Sequence, residues 1–163
     1  MKSNAPICLL VLVLLIPYLT ACQDAPPASQ DAAPTSQEAP ATLPLTASPE
    51  GAQVYIISPA DAASIPSGDV TVQFGLKGMG VAPAGIDFLD TGHHHLLVNV
   101  AELPPSNLPI PANETHLHFG KGQTETTLTL EPGTYTLQLL LGDKNHVPHD
   151  PPVVSEKITI TVN

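Results

Sequence analysis

The chain alternates between apolar and polar positions with a period of two, and it does so repeatedly. VTVQFGL, from Val70 to Leu76, puts Val70, Val72, Phe74 and Leu76 on one face of an extended segment. TYTLQLLL does the same with Tyr135, Leu137, Leu139 and Leu141, and KITITV with Ile158, Ile160 and Val162. TETTLTL alternates more weakly through Leu128 and Leu130, and VYII at 54–57 reads as a short opening strand. These runs are rich in β-branched residues and are separated by Pro, Gly and Asp, the signature of half-buried strands joined by turns. No segment carries a helical stripe. Six or seven strands within residues 51–163 predict an all-β domain, an immunoglobulin-like antiparallel sandwich of about seven strands. The predicted strands are A 53–57, B 70–76, C 94–100, D about 115–119, E 123–130, F 134–141 and G 157–162. Tyr135, just after Pro132-Gly133-Thr134, resembles the tyrosine corner of such domains, although a plain core aromatic would read the same way.

The first fifty residues follow a different pattern. Lys2 precedes the apolar run Ile7–Leu19, which has the make-up of a secretory h-region and is short for a membrane span. Leu19-Thr20-Ala21-Cys22 follows and resembles the bacterial lipobox. That resemblance implies cleavage before Cys22, lipidation of Cys22, and a partner in the membrane itself. An ordinary cleaved secretion signal is the alternative. Gln23 after the cysteine resembles the outer-membrane sorting pattern, so the expected location is the cell envelope, lipid-anchored to the outer membrane. Residues 23–50 are Ala, Pro, Ser, Thr and Gln with four acids and no aromatic. Such a composition buries too little apolar surface to offset its ordering entropy. The expected organisation is a signal peptide over 1–21, a lipidated cysteine and disordered Pro/Ala/Ser-rich tether over 22–50, and the sandwich over 51–163.

Charge and cysteine content narrow the function. Without residues 1–21 the chain keeps four lysines against fifteen acids, a net charge of −11 with histidines neutral, and it has no arginine. Nucleic acid is thereby excluded as a partner, because phosphate contacts need a basic footprint. The two cysteines are Cys8 and Cys22, so the domain itself has no thiol and no disulfide and must fold on its core alone.

The candidate chemistry lies in seven histidines, at 93, 94, 95, 116, 118, 146 and 149. In an immunoglobulin-like path the B–C, D–E and F–G loops share one end, which brings the triple histidine, HLH and NHVPH toward one pole. Neutral imidazole is the commonest side-chain ligand for zinc and copper. Histidines at i and i+2 on a strand face the same way, about 7 Å apart at Cα. The candidate metal ligands are His93, His95, His116, His118 and His146. His94 has the parity of Leu96 and Val98 and is expected in the core. With no thiolate and only Met79 beyond the signal, such a site favours Zn or Cu(II) over Cu(I). The competing reading is a non-enzymatic interaction or structural module of the envelope whose histidines form a hydrogen-bonded brace between loops, with Asp90, Asp143 and Asp150 as acceptors. Catalytic motifs are absent: there is no Gly-Xaa-Ser-Xaa-Gly, no His-Glu-Xaa-Xaa-His and no phosphate-cradling loop, which argues against an enzyme. Asn113-Glu114-Thr115 matches a glycosylation sequon and is read as chance.

GLKGMGVAPAG, TGHHHLL, HLHFGKGQTET and LLLGDKNHVPHDPP together resemble the bacterial domain-of-unknown-function 4399 family, over roughly Ala52 to Val162. That resemblance implies an exported context and no established activity.

Overall fold

The alternating runs form nine strands in the computed structural model, which describes residues 45–163. The segments expected to be a signal peptide, the lipidated Cys22 and the tether up to residue 44 lie outside the described residues. The strands are β1 Gln53–Ser58, β2 Ser64–Ile65, β3 Gly68–Lys77, β4 Gly80–Val81, β5 Thr91–Val98, β6 His116–His118, β7 Glu125–Leu130, β8 Gly133–Gly142 and β9 Ile158–Val162. There is no helix among the described residues. One sheet has the order β1-β3-β7. The other runs β2-β9-β8-β5-β4, with β6 paired to β5. All pairings are antiparallel except the two-residue β2–β9 and β4–β5 ladders. The seven expected strands are present, and the two extra ones are short edge pieces.

The alternation does what it predicts. Val70, Val72 and Phe74 from β3 meet Leu96 of β5, Leu137, Leu139 and Leu141 of β8, and Ile160 and Val162 of β9, all buried in one core between the sheets. Removing any of the buried leucines would cost about 2–5 kcal/mol. The Tyr135 hydroxyl donates to the carbonyl of Glu131 at 3.0 Å, four residues upstream, which is the geometry of a tyrosine corner.

Two features depart from expectation, and both shape the site. The strand expected at 94–100 occupies Thr91–Val98 instead, so the three histidines lie inside it and not at its mouth. Their pairing explains this: His93, His94 and His95 face Gly142, Leu141 and Leu140 of β8. The strand stops where Asn99 turns to φ 55° and its side-chain oxygen accepts the Thr136 amide. Second, β5 is buried on both faces. Leu97 and Leu140 point away from the main core and pack with Ile110, from the proline-rich segment that folds back over the sheet. A strand covered on both sides reads as a continuous run, which is why HHHLL lacks alternation.

Residues 46–48, assigned to the tether, hydrogen-bond to the loop that follows β8, including a parallel bridge between Ala47 and Asp150.

Candidate metal centre

Alternation along β5 separates its three histidines. His94 turns inward, 5.2 Å from the Phe74 ring centroid, and its Nδ1 contacts the Gln123 carbonyl at 3.2 Å. His93 and His95 turn outward and are nevertheless buried, because loops cover that face. Their Nε2 atoms stand 3.1 Å apart.

Register then selects one histidine of β6. His95 lies opposite His118, and Leu97 opposite His116. Directly opposed residues on one face of an antiparallel pair are close neighbours, so the His118 ring sits 5.0 Å from both His93 and His95. The pairs His93/His95 and His116/His118 share a sheet, since β6 pairs with β5.

The fourth ring comes from the loop after β8. Asp143 is buried, and its Oδ1 accepts the amides of Asn145 at 2.8 Å and Val147 at 2.9 Å. This tight turn drives His146 into the left-handed region at φ 68°, an unusual conformation for a residue with a side chain. The His146 carbonyl accepts the Ile110 amide at 2.8 Å. So held, its ring centroid is 5.0 Å from His93, 4.7 Å from His118 and 6.2 Å from His95.

Two glycines provide the room. A Cβ on Gly142 would lie 3.0 Å from His95 Nε2 and 3.2 Å from its Cδ2. A Cβ on Gly120 would fall 2.3 Å from Cε1 and 2.5 Å from Nε2 of His118. Sequence reasoning took neither as part of the site. The available signal was a glycine ending a leucine-rich strand and another just after HLH.

The other three histidines have separate partners. His116 Nδ1 is held by Asn113 Oδ1 at 3.1 Å and Thr115 Oγ1 at 3.0 Å. The same asparagine oxygen accepts the amides of Thr115 and His116, so the sequon-like triplet is a side-chain-capped turn. His116 is therefore not in the cluster, one residue pair too far along β6. His149 Nε2 contacts the Thr91 carbonyl at 3.3 Å beneath Gly92. Among the described residues, no carbonyl or carboxylate partners the rings of His93, His95, His118 or His146.

Burial is the main cause holding His93 down to about pKa 4, helped by His146 and His118, while Asp143 opposes it. Burial followed by His93, His118 and His146 takes His95 to about 2. Burial also lowers His118, with His146 second. These rings are neutral at pH 7, the form that binds metal. One nitrogen each from His93, His95 and His118 lie within 4.8 Å of one another, so these three can hold a metal ion. Two nitrogens 3.1 Å apart, each 2.0–2.1 Å from one ion, subtend about 95–100° there, between the tetrahedral and square values.

A family model described as domain of unknown function (DUF4399) matches residues 72–163. The chain belongs to this family. The DUF4399 match begins inside β3 and includes all seven histidines, Gly120, Gly142 and Asp143. It omits β1, β2 and residues 46–50, so it is narrower than the Ala52–Val162 span of the sequence resemblance. No curated protein matches the chain.

Proposed function

We propose that this DUF4399 protein binds a divalent transition metal, zinc or Cu(II), through His93, His95, His118 and His146, and does so at the cell envelope, anchored by lipid on Cys22. The observation that carries the reading is the division of the seven imidazoles. His94, His116 and His149 each contact a carbonyl or a polar side chain, as a structural histidine does. The remaining four face one another. Four rings gathered at 5–6 Å gain little from each other, whereas a cation would use all of them. His95 Nδ1 is buried without a partner, as are His94 Nε2 and His149 Nδ1, so what sets His95 apart is that its other nitrogen faces a second imidazole and not a carbonyl. Buried Asp143 provides negative charge near His93, which favours a cation there.

His118 is exposed and His146 half-buried, so the cluster opens to solvent on that side. The nitrogens of His93, His95 and His118 lie within 4.8 Å of one another, and a fourth from His146 on the neighbouring loop would close a tetrahedral ion, which suits holding or passing on a metal more than catalysis with an open position. The competing brace reading is favoured by the direct His93–His95 contact, which a hydrogen bond alone would satisfy. X-ray absorption on zinc-loaded protein separates the two. An all-nitrogen shell of three or four imidazoles at about 2.0–2.1 Å supports the proposal. An oxygen-dominated shell with no imidazole scattering would reject it. The lipid anchor is tested by labelled fatty acid incorporation in cells, expected for the native chain and lost in Cys22→Ser.

A further inference from the structure

Thr46 and Ser48 belong by composition to the tether, yet they make contacts that a spacer has no need to make. The Thr46 hydroxyl donates to Asp143 Oδ2 at 2.7 Å. The Asp150 amide donates to the Thr46 carbonyl at 2.9 Å, and the Ser48 amide to the Asp150 carbonyl at 3.1 Å. The Ser48 hydroxyl donates to the Pro151 carbonyl at 2.8 Å. These four bonds grip both ends of the 143–151 loop, and one reaches the buried carboxylate about which the loop is built. The other oxygen of that carboxylate holds the Asn145 and Val147 amides on either side of His146.

We infer that residues 46–48 are a strap that positions His146, linking the tether to the metal centre; this rests on the metal-binding reading above. His93, His95 and His118 sit on paired strands, which fix them without help. His146 alone sits on a loop and in a left-handed conformation that the backbone disfavours. Its place rests on the Ile110 bond, on the backbone bonds from the His146 amide to the Asp143 carbonyl and from the Asp143 amide to the Val147 carbonyl, and on Asp143 keeping its carboxylate oxygens oriented. Thr46 satisfies the Asp143 oxygen that the loop's own amides leave over. Releasing the strap frees Asp143 to rotate, and the loop loses the geometry that aims His146 at the other three rings. A pull or a partner acting on the tether would then reach the metal through one ligand only.

The test uses the full mature chain with Thr46→Val plus Ser48→Pro, which removes three of the four bonds. Amide exchange at Asn145 and Val147 should accelerate tenfold or more, while that of Leu96 and Leu139 in the core stays unchanged. Zinc affinity should fall about tenfold, but by less than twofold when the same changes are made in a His146→Ala background. Thr46→Ser, keeping the hydroxyl, should leave both readouts as in the native chain. Unchanged exchange at Asn145 and Val147 would overturn the strap, and so would an equal affinity loss with and without His146. If the native chain binds no zinc, the metal reading fails while the exchange measurement still decides the strap.

Discussion

Acidifying the metal-free protein should unfold it through two particular rings. His93 is held at a pKa of about 4 and His95 at about 2, against about 6.5 in the unfolded chain, chiefly by burial. The sign follows from proton counts. Above pH 6.5 both states carry neutral rings, and these groups leave stability untouched. Below it the unfolded chain takes up protons that the folded chain refuses, so stability falls with pH. The fall for His93 levels off near pH 4, and that for His95 continues lower. At pH 4.5 each ring contributes roughly 2–3 kcal/mol of loss relative to pH 7, and the coupled pair several kcal/mol. That is comparable with the whole stability of many domains of this size. Urea unfolding of metal-free protein at pH 7, 5.5 and 4.5 gives the profile. The same series on His93→Gln plus His95→Gln removes the two groups and leaves the carboxylates to cancel in the comparison. The native chain should lose several kcal/mol more than the double variant between pH 7 and 4.5. Parallel profiles would refute the reasoning, since the rings would then titrate as freely folded as unfolded.

Other substitutions separate packing from ligation. Gly120→Ala should weaken zinc binding tenfold or more, because its Cβ occupies the place of the His118 ring. It should change stability by less than about 1 kcal/mol, as His118 is exposed and can swing away; calorimetry and urea melts check the two halves. His94→Ala should do the reverse, costing about 2–4 kcal/mol through the lost Phe74 contact and carbonyl partner, with metal affinity intact. Tyr135→Phe should cost about 1 kcal/mol by removing the corner hydrogen bond, measurable as a shifted urea midpoint with an unchanged slope.

The strands were legible because each buries one face, and a period of two is visible in any such run. Val70, Val72, Phe74 and Leu137, Leu139, Leu141 are core by that rule alone. The rule also separates His94 from His93 and His95, since neighbours on a strand point oppositely. What it cannot give is register between strands. His116 and His118 have the same parity, and only the pairing of His95 with His118 decides that one joins the cluster and the other caps a turn. Nor does periodicity reach His146, whose direction is set by a left-handed backbone angle and by Asp143 beneath it. The start of β5 three residues earlier than expected has a similar origin. Thr91 and Gly92 pair with β4, a two-residue strand too short to leave a pattern. Residues 46–48 were hidden because composition registers the burial of apolar side chains, and their contacts are hydrogen bonds.

Zinc and Cu(II) titration calorimetry on untagged residues 23–163 tests the central claim most directly. One ion per chain, bound at micromolar affinity or tighter, is expected. Binding should be lost in His93→Ala plus His95→Ala and retained in His116→Ala and His149→Ala. Weak binding of several ions, indifferent to His93 and His95 and equalled by an unrelated acidic protein, would contradict it.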